Sequence, residues 1–130
     1  MKRITLDLIS EFIANNNIPY TATQPKLCIP IVERLYNKML HGILFEDIKI
    51  CDNVIIDGHH RYLSSLMAGF KIGQVNSQKP SVTKSIEWID IIFDENDWDT
   101  AAKISHLIEQ DALYNDLDIE FIKQITFRNE

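Results

Sequence analysis

Glycine and proline are scarce, four of each in 130 residues, and nowhere do they gather with serine into a linker. No internal repeat and no low-complexity tract interrupts the chain, which excludes solenoid and tethered-module organisations. There is no apolar run near the roughly 20 residues that a membrane span requires. The start, Met1 to Asp7, places an acid where a signal peptide needs an apolar core, so a cytoplasmic location is expected. Cysteine is limited to Cys28 and Cys51, without a C-x-x-C pair or neighbouring metal spacing; two buried free thiols are expected rather than a disulfide or a zinc site. Clustered positive charge is also missing. The 13 Lys and Arg are scattered in a chain of net charge −6, which disfavours a broad nucleic-acid footprint and leaves room only for a local anion site.

What is present, 45% apolar and 25% charged residues, fits one globular domain over residues 1–130. Leu8 with Phe12 and Ile9 with Ile13 predict a helix over Thr5–Ala14, stopped by Asn15-Asn16-Asn17. A loop from Ile18-Pro19 to Ile29-Pro30 leads to a second helix, Pro30–His41, with Val32, Leu35, Tyr36 and Met39 on its apolar face and His41 at its end, before Gly42. Ile48 and Ile50 alternate with Asp47 and Lys49, and Asp52-Asn53 can turn the chain into Val54-Ile55-Ile56, a β-hairpin. Leu63, Leu66, Met67 and Phe70 share one side of a third helix that Gly69 can end. Strands are expected at Ile72–Val75 and Ser85–Asp94. Asp99 or Thr100 can cap a helix bearing Ile104, Leu107 and Ile108, and Asp118 one bearing Ile119, Ile122 and Ile125. The sum is an α/β (α+β) domain, a small mixed sheet flanked by helices.

The chemistry concentrates at V-I-I-D-G-H-H-R-Y, residues 54–62, where a strand gives way to a helix. Free N–H groups in a first helical turn, with the positive end of the helix dipole, make an anion site, and Gly58 permits close approach to the backbone. Arg61 adds a bidentate cation, and His59 or His60 can donate to a phosphate oxygen or move a proton near neutral pH. Asp57 can hold a metal, a hydroxyl or the turn. Each residue alone also has a plain structural use; five in succession favour an anion-related role.

V-I-I-D-G-H-H-R-Y-L-S-S-L-M-A-G, preceded by a helix and a hairpin strand, resembles the central motif of the ParB/sulfiredoxin superfamily, over about residues 28–78. Sulfiredoxins carry a nucleophilic Cys in a G-C-H-R turn where this chain has His59, so the resemblance implies no reductase chemistry. ParB-type partition proteins use a G-E-R-R-like turn and a further DNA-binding domain. The free serine kinase branch shares D-G-H-H-R. That likeness implies an ATP- or ADP-dependent phosphotransferase or nucleotide hydrolase assisted by Mg²⁺. Gly58, His59, His60 and Arg61 would cradle phosphate, Asp57 would sit by the metal or acceptor hydroxyl, and His60 would join the catalytic groups. Those kinases are longer, and their catalytic glutamate lies upstream; Glu33 and Glu46 are the candidates here.

Two alternatives belong to other classes: a ParB-like nuclease or nucleic-acid-associated protein, which the acidic charge disfavours, and a catalytically silent interaction module with a protein partner, such as a toxin or immunity component. Asp94 to Asp99 has too little of the EF-hand pattern for calcium and reads as a solvated cap. Trp88 and Trp98 can stack on a base but more commonly pack. His106 sits in a helix without an evident ligand partner.

Overall fold

A computed structural model of the chain describes residues 2–79 and 83–127. Helix α1 (Leu6–Asn15) is capped by Thr5, whose hydroxyl accepts the Leu8 N–H at 3.2 Å, and Asn16 donates to the Phe12 carbonyl at its end. Strand β1 (Lys26–Cys28) runs directly into α2 (Ile29–Leu40), with Pro30 in its first turn. Strands β2 (Ile48–Cys51) and β3 (Val54–Asp57) form the expected hairpin, turned by Asp52 and Asn53 at φ 49° and 65°, the left-handed pair that such a tight turn demands. Helix α3 (His59–Ala68) follows, closed by Gly69 at φ 68°. Strand β4 (Gln74–Asn76) pairs parallel with β2, giving the order β3-β2-β4. Strand β5 (Ile92–Asp94) pairs parallel with β1 in a separate two-stranded sheet, and α4 (Ala101–Asn115) and α5 (Ile119–Thr126) complete the chain.

The fold is thus the mixed α/β type expected, with departures in detail. Lys26–Cys28, read as loop, is a strand because β5 supplies a partner from far along the chain. The Ile72–Val75 strand moves to Gln74–Asn76. Ser85–Asp94 is not one strand: Ile86 bridges Ala22 antiparallel, Trp88–Asp90 makes a single 3₁₀ turn, and only Ile92–Asp94 pairs with β1. The kink follows from Trp88, buried with its indole N–H donated to the Tyr20 carbonyl at 2.7 Å. Of the caps offered for α4, Thr100 is used, accepting the Lys103 N–H, while Asp99 turns to Arg34. Cys28 is buried and Cys51 only half-buried; both are free. No described helix is long and apolar enough to cross a membrane.

The main core gathers Ile9, Leu27, Val32, Ile48, Ile55 and Leu63 between the helices and the three-stranded sheet. A smaller one, built on Ile43, Ile104, Ile108, Ile122 and Ile125, joins α4 and α5. Helices α2 and α3 pack closely enough for the buried Ser64 hydroxyl to reach the Val32 carbonyl at 3.1 Å. That packing sets the two helix starts side by side, which positions the candidate site.

Candidate functional site

Gly58 caps α3 in the left-handed region, at φ 96°, and a Cβ there would stand 2.8 Å from Ile48 Cγ2 and 2.9 Å from Arg61 Nη2. Only glycine satisfies both the backbone angle and the contact with β2. Having no side chain, it caps nothing, so the first-turn amides of His59, His60 and Arg61 lack a partner within the helix, and among the described residues no side chain caps them. This helix start opens into a cavity of about 300 Å³ lined by Asp57, Gly58, His59, His60 and Arg61. Its far walls come from α2 (Ile31, Arg34, Leu35, Lys38) and from Asp99, Leu107 and Asp111.

Both histidines are held at Nε2. His59 Nε2 accepts the Thr23 backbone N–H at 2.9 Å, and His60 Nε2 accepts that of Cys28 at 2.9 Å. A ring nitrogen that accepts a backbone N–H carries no proton, so each imidazole is neutral with its hydrogen on Nδ1. Burial disfavours the charged form further and lowers both pKa values to about 4; Asp99 opposes the shift at His60 while Arg61 reinforces it, and Asp57 opposes the shift at His59. The Cys28 thiol donates to the Asn96 carbonyl at 3.3 Å rather than capping α2, and its backbone N–H, held by His60, ties the start of α3 to the start of α2.

Arg61 is the loosely held cation of the site. Its Nη2 lies 3.4 Å from the Asp47 carbonyl and 3.8 Å from Asp57, while Nε is buried without a hydrogen-bond partner among the described residues. Arg34 is different. It meets both oxygens of Asp97 at 2.6 and 2.9 Å and Asp99 at 3.1 Å. Burial works against its charge, but these carboxylates outweigh burial and raise its pKa, and Arg34 in turn holds Asp97 below the usual carboxylate value. Lys38, whose side chain is 5% exposed, meets Asp111 at 2.6 Å. The lining therefore balances Arg34, Lys38 and Arg61 against Asp57, Asp99 and Asp111, with neutral histidines between them.

The structure brings Asp57, Gly58, His59, His60 and Arg61 together and leaves Glu33 outside. On α2 the residues facing the cavity are Ile31, Arg34, Leu35 and Lys38; Glu33 points elsewhere and accepts the Ile4 N–H at 2.8 Å. Glu46 lines a neighbouring hollow that shares Phe45, Arg61 and Asp111 with the cavity. Among the described residues no group of three or more His, Cys, Asp or Glu is arranged to hold a metal. Asp57, 63% exposed, is the lining carboxylate without a cation at hydrogen-bond distance, and magnesium commonly uses one or two carboxylates together with substrate phosphates, so Asp57 fits that role. Arg34, Lys38 and Asp111 escaped the sequence reading; the four-residue spacing of Arg34 and Lys38 on α2 was the available signal, but their acidic partners lie far along the chain. Compared with known proteins, the chain matches no family model, no curated protein and no solved structure.

The 94–99 segment is a braced loop. Asp94 accepts the Asn96 N–H and the Trp98 indole N–H, and Asp97 accepts the Asp99 N–H, so Asp94, Asp97 and Asp99 are occupied by the loop itself and by Arg34. His41 ends α2 with Nδ1 2.8 Å from the Asn37 carbonyl, and His106 is exposed on α4.

Proposed function

We propose that this chain binds a nucleotide, or another small phosphorylated ligand, at the 57–61 turn, and that its chemistry is Mg²⁺-assisted phosphoryl transfer or nucleotide hydrolysis. The observation that carries this reading is the uncapped start of α3 opening into a cavity beside an incompletely paired arginine. Backbone amides and the helix dipole offer a phosphate fixed partial positive charge, and Arg61 supplies a planar donor fork. The histidines contribute as neutral Nδ1–H donors rather than proton carriers, since Nε2 is committed in both. Because lining charges balance, a phosphate that arrives with its charge partly neutralised by Mg²⁺ suits the cavity better than a bare polyanion. Asp57, exposed and without a cation at hydrogen-bond distance, supports this reading as the group that would meet that metal or the acceptor hydroxyl. The D-G-H-H-R resemblance to free serine kinases supports the same reading, and of the two candidate glutamates Glu46, which lines a hollow together with Arg61, replaces Glu33.

The test is ligand binding by calorimetry with ATP and ADP, with and without Mg²⁺, on the wild type and on Arg61→Ala. Charged hydrogen bonds of this kind contribute roughly 1.5–3 kcal/mol, so affinity should fall about 10- to 150-fold while the urea midpoint hardly moves. Wild-type protein that binds no phosphorylated ligand sinks the reading.

A second reading, a silent interaction module, draws on a different observation: Leu40, Leu44, Leu113, Leu117 and Phe121 are exposed at the α4–α5 end. Apolar exposure of this kind marks partner surfaces, and absence of turnover together with complex formation would favour it.

A further inference from the structure

Trp98 combines two properties that seldom coincide: it is 41% exposed, and it is held in place. Its indole N–H is donated to Asp94 Oδ2 at 2.9 Å, and Asp94 is itself fixed by the Asn96 N–H and by Lys26 at 3.6 Å. The ring meets His60 edge-on, with centroids 5.5 Å apart and planes at 85°, and His60 lines the cavity at the start of α3. Trp98 therefore stands one ring away from the proposed phosphate site, presenting aromatic surface to solvent. Trp98 leaves a large part of its ring open to solvent, whereas the other tryptophan, Trp88, is almost fully buried in the core.

We propose that Trp98 is the stacking platform for the base of a nucleotide whose phosphate lies at the α3 start, a subsite that makes the ligand a nucleotide rather than a simple phosphate ester. The inference rests on the reading of the 57–61 turn as a phosphate site. The polarity of the ligand follows from charge. The cations beside Trp98, Lys26 and Arg34, are already paired with Asp94 and Asp97, so this end offers a phosphate little attraction, whereas a neutral planar base needs no cation and gains stacking on a preordered ring. Arg61 and the free amides mark the opposite end for the phosphates. Because the indole is already fixed, little side-chain freedom is lost when the base docks.

The experiment compares ADP with pyrophosphate, which lacks a base, on full-length wild type, Trp98→Leu and Trp98→Phe in the presence of Mg²⁺. Base–aromatic stacking predicts that Trp98→Leu weakens ADP binding about 5- to 150-fold and leaves pyrophosphate unchanged, while Trp98→Phe restores most of the loss. ADP should also quench wild-type tryptophan emission, and the emission of Trp88 in Trp98→Leu reports that the core remains folded. Equal ADP affinity in wild type and Trp98→Leu overturns the inference, as does a parallel loss of ADP and pyrophosphate, which would make Trp98 a loop brace. Wild-type protein that binds pyrophosphate as tightly as ADP removes the base subsite but keeps the phosphate site. Wild-type protein that binds neither removes both.

Discussion

His59 and His60 are neutral because each Nε2 accepts a backbone N–H and each ring is withdrawn from water, and this has a measurable consequence. Their folded pKa values, about 4, lie below the ordinary 6.5, so between those values the unfolded chain binds more protons than the native one. Stability must then rise with pH through this window, be complete above it, and fall as pH drops toward 4; by pH 5 each histidine removes about 2 kcal/mol. Asp94 and Asp97 are depressed from 3.8, so their losses come at lower pH and do not mask the effect. Urea midpoints at pH 7.5 and 5.0 check this, and His60→Gln, which cannot titrate, should flatten the slope; an unchanged midpoint would mean the rings are open to protonation. Asp57 is tested by function instead. Asp57→Asn removes a charge from an exposed side chain, so folding should hardly change. If Asp57 meets the metal or acceptor hydroxyl, phosphoryl transfer in a coupled assay should collapse while ADP affinity holds or rises. Activity equal to wild type would return Asp57 to a turn role.

At the scale of elements, the β3–α3 corner depends on one glycine. Gly58→Ala should cost at least ~1–3 kcal/mol for the left-handed backbone alone, and the contact with Ile48 Cγ2 adds to it. Gly42→Ala is the matched control: φ is 82°, but nothing lies within 4 Å, so only the backbone cost applies. A urea melt in which the two variants lose the same stability would show that the close approach to Ile48 is unimportant. This corner was legible in the sequence because everything that makes it is local: the β2–β3 hairpin with its Asp52-Asn53 turn, the glycine, and an apolar stripe ended by Gly69. The capped helices α1, α4 and α5 were legible for the same reason. The β1–β5 pair was not, since each three-residue strand exists only through a partner in the other half of the chain. Nor was the break in Ser85–Asp94, where the Trp88 bond to Tyr20 overrides a strand-like composition. The site divides likewise. The 57–61 turn could be read directly, but the cavity walls depend on which stripe of α2 faces inward. That stripe carries Arg34 and Lys38, and Glu33 lies off it, tied to the N-terminal segment.

On the scale of the whole molecule, the α4–α5 pair has its own small core and is bound to α2 at the far wall of the cavity by the Lys38–Asp111 ion pair, with Arg34–Asp99 tying down the segment just before α4. Lys38–Asp111 is the more buried of these connections, with side chains 5% and 14% exposed. A buried pair contributes little net stability relative to a well-packed apolar pair, yet removing one partner strands the other charge. Lys38→Met should therefore cost ~3–5 kcal/mol, and the double variant Lys38→Met/Asp111→Leu should recover most of that loss. The damage should also be local. Hydrogen exchange should show α4 and α5 losing protection while the β2–β3 hairpin and α3, packed in the main core, keep theirs. ADP affinity should fall in the single variant, because the cavity loses its far wall even though the 57–61 turn is intact. Uniform loss of protection across the chain would show instead that the two cores unfold as one unit, and a double variant no more stable than Lys38→Met would mean that the lysine stem, not the charge pair, holds the helices together.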